Sequence, residues 1–128
     1  MFQNPSNKLE SIIGKNSDIS GELNVSGTLR VDGIVHGKLN AECVIISETA
    51  MVKGDIKARA IIVGGKVEGN LIGEEMIEIK PKGIVLGEIF TNKFFVIEGG
   101  TLNGRVQMKR DQANVIPIEA KAQEASIL

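Results

Sequence analysis

Tryptophan and tyrosine are absent from this chain, phenylalanine occurs four times, and there is one cysteine and one histidine. The single Cys43 excludes an intramolecular disulfide. No apolar run is long enough to span a bilayer, and no basic-apolar-small signal peptide opens the sequence. Charge of one sign is lacking as well: 15 basic side chains stand against 16 acidic ones. Net charge therefore gives no argument for nucleic acid or for an anionic membrane surface. What remains is the expectation of a soluble cytoplasmic protein, and 128 residues leave room for one core.

What the chain does have is glycine, 15 residues of it, among many Val and Ile. Such a chain suits a narrow core built from aliphatic ladders. Its glycines punctuate a five-residue unit of aliphatic, variable, Gly, variable, aliphatic. The unit appears as Ile19-Ser20-Gly21-Glu22-Leu23, Val35-His36-Gly37-Lys38-Leu39 and Val52-Lys53-Gly54-Asp55-Ile56. It returns as Val67-Glu68-Gly69-Asn70-Leu71, Val85-Leu86-Gly87-Glu88-Ile89 and Leu102-Asn103-Gly104-Arg105-Val106. The central glycines step by 16, 17, 15, 18 and 17 residues. An interval this regular marks a repeat protein.

Period-two spacing makes each unit an extended segment, with both aliphatics and the glycine on one face. The repeat is too short for a two-helix unit of about 34 residues, and it fits one winding of a β-solenoid with three short faces. A second strand follows in each winding: Leu29-Arg30-Val31, Val44-Ile45-Ile46, Ile61-Ile62-Val63, Ile77-Glu78-Ile79 and Phe94-Phe95-Val96. Turn residues such as Asp32-Gly33, Gly64-Gly65 and Gly99-Gly100 then lead into the next unit, and their varied number accounts for the scatter in the step. Four places after each glycine stands a corner of limited room: Val25, Ala41, Ala58, Gly73, Thr91 and Met108. The expected fold is all-β, a parallel β-helix of about six coils over 12–108 with disordered termini. Residues 1–11 read as a flexible arm and 109–128 as a tail. Stacking in register would bring Glu22, Lys38, Asp55, Asn70, Glu88 and Arg105 into one outward column, and the aliphatics into two inward ones.

Catalytic constellations do not emerge. β-Helical acyltransferases and carbonic anhydrases use a hexapeptide repeat, and the anhydrases use three histidine ligands on zinc. Here His36 stands alone and is expected on the solvated surface. Cys43 adjoins an apolar run and reads as an inert residue. Asp32-Gly33 reads as a corner, Glu74-Glu75 as a solvated turn, and the glycines lack the clustering of a phosphate loop. No cofactor, metal, nucleotide or nucleic acid is expected.

A solenoid exposes its core and unpaired backbone at both ends unless they are capped. No amphipathic capping helix is visible in the sequence. Phe90, Phe94 and Phe95 crowd the last coil. They either seal the core there or, with Leu102, form a contact with a second copy. Uncapped ends that meet their like generate filaments.

The stretch Ile13-Gly14, Ile19-Ser20-Gly21-Glu22-Leu23, Leu29-Arg30-Val31-Asp32-Gly33 and Val35 to Gly37 resembles the opening of the bactofilins. Val96-Ile97-Glu98-Gly99-Gly100-Thr101-Leu102-Asn103-Gly104-Arg105 resembles their closing segment. The resemblance implies a right-handed, three-sided β-helix that polymerises end to end, without nucleotide, into filaments lacking polarity. It implies an end interface from Leu102, Phe90, Phe94 and Phe95 at one end and Ile12, Ile13 and Ile19 at the other, with Leu102 where the family often places Phe. It also implies attachment to the inner face of the cytoplasmic membrane through an N-terminal peptide, here Met1, Phe2 and Lys8, and a scaffold role for cell-wall enzymes and cell shape. The competing reading is a monomeric or trimeric β-helix binding module, or an acyltransferase relative.

Overall fold

A computed structural model describes residues 9–108. Nine strands follow one another without a helix among the described residues. They are β1 (Leu9–Ile13), β2 (Asp18–Asn24), β3 (Thr28–Val31), β4 (Ile34–Asn40), β5 (Cys43–Ile46), β6 (Met51–Val63), β7 (Lys66–Ile79), β8 (Ile84–Val96) and β9 (Thr101–Met108). Every pairing is parallel, each winding lying on the one before, so the chain is a β-solenoid. β1 begins at Leu9, within the stretch that the repeat pattern leaves to the arm, and pairs with β3 through one register shift.

Each winding has three extended legs. The first two lie either side of the repeat's central glycine, and the third is the four-residue strand that follows. β6, β7 and β8 run through all three, with a register shift at the corner between the second and third in β6 and β7. The glycine unit and the third leg keep their lengths, while the connections between them change. Asn40 and Cys43 are separated by two residues, Asn24 and Thr28 by three. Val31 leads to Ile34 across two residues, and Ile46 to Met51 across four. The longer connections close as turns, with Ala50 N–H donating to Ser47 O at 3.0 Å and Gly83 N–H to Lys80 O at 2.8 Å. The scatter in the repeat thus resides in the bends, and the sheet register is preserved.

The central glycines stack directly: Gly21 pairs with Gly37, Gly37 with Gly54, Gly69 with Gly87 and Gly87 with Gly104. Sequence periodicity places them on the core face, but their positive φ, between 130° and 151°, turns the missing Cβ along the stacking axis instead. From Gly37 upward, a side chain there would strike the winding beneath.

Core residues form ladders. One runs Ile19, Val35, Val52, Val67, Val85, Leu102, and a second runs Leu23, Leu39, Ile56, Leu71, Ile89, Val106. The third leg adds Leu29, Val44, Ile61, Ile77, Phe94 and also Ile13, Val31, Ile46, Val63, Ile79, Val96. Fully burying one such side chain stabilises by about 1.5–3 kcal/mol. The outward charge ladder stacks as expected, but its described ion pair is only Arg105–Glu88, at 3.0 Å. Exposed pairs contribute roughly 0–1 kcal/mol, so the aliphatic ladders dominate.

The windings are complete in number. Leu9 pairs with Thr28 at the start of the third leg, and Met108 pairs with Thr91 at the corner just before that leg. The described chain enters and leaves on the same edge of the column, at opposite ends.

Candidate polymer interface

Following each ladder upward locates the site. Val35, Val52, Val67 and Val85 are sealed from solvent, whereas Ile19 beneath them is half-exposed. Leu39, Ile56, Leu71 and Ile89 are sealed, whereas Leu23 below and Val106 above are half-exposed. Val96 closes its own ladder in the same way. Apolar exposure in the core ladders is confined to their first and last rungs, which makes two mouths. Ile13, Ile19, Leu23 and Val25 form the lower one, and Leu102, Val106, Met108 and Val96 the upper one. No strand lies beyond β1 and β2 below, or beyond β9 and the third leg of β8 above, among the described residues. Backbone and side chains at each mouth are therefore both open to a partner.

The residues that sequence reasoning assigned to this interface divide between interior and flank. Ile13, Ile19 and Leu102 point inward at the mouths, with Leu102 at 7% exposure. Phe94 ends an inward ladder at 5% exposure and is held within its own chain. Phe90 and Phe95, at 38% and 42%, and Ile12, at 58%, lie on the outer flanks. Neighbours along an extended strand face opposite sides, so Phe94 and Phe95 adjoin in sequence and diverge in space. Leu23, Val25, Val106, Val96 and Met108 were missed. Leu23, Val106 and Val96 are the first or last member of an aliphatic column, and Val25 and Met108 are the two ends of the corner column that also holds Gly73 and Thr91. Met1, Phe2 and Lys8 lie outside the described residues, as do 109–128.

Other surfaces offer less. A groove of about 580 Å³ runs along the corner between second and third legs, lined by Asn24, Asn40, Glu42, Lys57, Arg59 and Glu74. Its charges alternate in sign, with Arg59 3.3 Å from Glu75 and 4.0 Å from Glu42. His36 is exposed beside Asp18, at 3.6 Å. Burial pushes the Cys43 thiol up, which holds it protonated at neutral pH. Asp32 sits below the usual carboxylate range, first through a hydrogen bond from Ser47 in the next winding and then through Arg30. No group of three metal-ligating side chains occurs among the described residues. No helix of those residues is long and apolar enough to cross a membrane.

Comparison with known proteins follows the same outline. The family model named Bactofilin, described as polymer-forming cytoskeletal, matches residues 11–107. Bactofilin BacP of Myxococcus xanthus is 30% identical over 118 residues, which is 91% of this chain and 49% of BacP. Bactofilin BacO of the same organism is 27% identical over 99 residues, 77% of this chain and 79% of BacO. The chain thus spans about half the length of BacP. No solved structure matches it.

Proposed function

Because the chain belongs to the bactofilin family, a family of polymer-forming cytoskeletal proteins and not of enzymes, we propose that it polymerises end to end through its two mouths, without nucleotide. The observation that carries this reading is the confinement of core exposure to the outermost rungs. Half-exposed Ile19 and Leu23 below, and Val106 and Val96 above, complete their burial when another column stacks on them. Each such side chain adds a fraction of the about 1.5–3 kcal/mol of full burial. Contacts of like with like, lower mouth to lower and upper to upper, would give filaments without polarity. Such a filament serves as a scaffold for cell-shape or cell-wall proteins at the inner face of the cytoplasmic membrane. Attachment runs through Met1, Phe2 and Lys8, and filament formation makes many weak tips act together.

Ultracentrifugation and negative-stain electron microscopy without ATP or GTP provide the test. Long rods of columns stacked end to end, single or side by side, that pellet support the reading. A fixed small mass in light scattering at every concentration would overturn it and return the monomeric or trimeric module. Liposome flotation with and without Met1–Lys8 decides the membrane element separately.

A further inference from the structure

The outer surface of the column is unequal. The first two legs present Ser20, His36, Lys53, Glu68, Leu86 and Asn103 in one outward column and Glu22, Lys38, Asp55, Asn70, Glu88 and Arg105 in another. The third leg presents an outward column of Ile12, Arg30, Ile45, Ile62, Glu78 and Phe95, in ascending order. Beside it run Cys43, Ala60 and Met76, which are small or flexible. Apolar side chains are exposed on the other legs too, at Ile72, Ile84 and Phe90, but the two most exposed of the large ones, Ile12 and Phe95, both stand in this column.

The order of that column is self-complementary on inversion. Turned end for end about a point between Ile45 and Ile62, Ile12 meets Phe95, Arg30 meets Glu78, and Ile45 meets Ile62. Glu78 has no ion pair among the described residues. Arg30 spends one donor on Asp32 at 3.1 Å and remains half-exposed, and a guanidinium carries five donors. A shallow depression of about 410 Å³ lies among Met76, Glu78, Phe95, Val96 and Ile97, where the inverted partner would bring Ile12 and Arg30. The guanidinium can then reach the Glu78 carboxylate while lying against the Phe95 ring. A parallel arrangement would instead oppose Arg30 to Arg30 and Glu78 to Glu78.

We infer that the third-leg face is a lateral interface between copies of this chain, packed antiparallel about a two-fold axis between the levels of Ile45 and Ile62. Six levels at about 4.8 Å make a stripe roughly 24 Å long and two residues wide. That is well below the ~800 Å² per partner of a stable dimer. One pair is weak, and the contact tells when repeated along two rods. This last consequence rests on the polymer proposed above; the contact itself does not.

The test has two arms. In the first, rods are imaged for width. Wild type is expected to form paired rods, Arg30→Glu or Glu78→Arg alone to give single rods, and the combined Arg30→Glu/Glu78→Arg to restore pairs. Rods that stay paired in the single variants, or stay single in the combined one, overturn the antiparallel register. The second arm does not need rods. Ile62→Cys in a Cys43→Ser background, treated with a short bis-maleimide, is expected to give cross-linked dimer at least several-fold above a Lys53→Cys control on another face. Ile62 lies two levels below the upper end of this column and three above the lower one, too far for a short cross-linker to bridge two copies across an end contact. Equal cross-linking at both positions sinks the lateral interface even where single rods form. Dimer without any rods would leave the lateral contact standing and reject the end-to-end reading.

Discussion

Gly54 stands directly above Gly37, and a Cβ added to Gly54 would overlap the Gly37 carbonyl oxygen. Gly21, the lowest of the series, has nothing within 4 Å of the same position, although its φ is also positive, at 130°. The two glycines separate strain from collision. Gly21→Ala bears backbone strain alone, about 1–3 kcal/mol. Gly54→Ala bears the strain and must also push two windings apart. Guanidinium denaturation should show the larger loss for Gly54→Ala. Equal losses would mean that the column yields at its glycines without penalty.

At the mouths, Leu23→Arg and Val106→Arg are expected to abolish pelleting while the circular dichroism spectrum and cooperative melting persist. These positions are better probes than Phe94 or Leu102, whose side chains are nearly sealed and whose replacement by Arg would place a charge in the core. A variant that remains folded and still pellets like the parent refutes the end contact at that mouth.

Interior and surface ladders should differ in weight. Ile56→Ala removes a sealed side chain from the middle of a column and is expected to destabilise by about 2–5 kcal/mol. Arg105→Ala removes the exposed partner of Glu88 and should change stability by no more than about 1 kcal/mol. Chemical denaturation of the two variants side by side measures the difference.

Asp32 ties one winding to the next and gives a pH dependence of defined sign. Its carboxyl is held below the usual range, first by the Ser47 hydrogen bond, so the folded state binds that proton less readily than the unfolded chain. Its contribution is therefore present at neutral pH, begins to fade as pH falls into the ordinary carboxylate range, and is gone below the depressed value. Asp32→Asn should lower the melting temperature at neutral pH and flatten that part of the acid profile. An unchanged profile would remove Asp32 from the account.

Much of this architecture is legible in the chain because a parallel solenoid repeats each environment at every winding. Val35, Val52 and Val67 announce one column by their spacing, and the two- or four-residue turns absorb the irregular step. The sign of φ at Gly37 carries no such mark, so periodicity alone places that glycine with the core. The Phe90, Phe94 and Phe95 cluster divides for a related reason. Strand alternation sends Phe94 inward and Phe95 outward, and crowding along the chain does not become crowding in space. Leu23 and Val106 escape notice because they are the same residue types as the sealed rungs beside them. Their level in the stack sets them apart, and level is not a property of composition.

Completeness of the windings has a consequence for what flanks the column. Leu9 and Met108 share a ridge, so the two points where flanking chain attaches lie on one side of each copy, at opposite ends. Where like mouths meet, attachment points of the same kind come to the same height at each join. Whatever is tethered there would be displayed in pairs, the two kinds alternating along the rod.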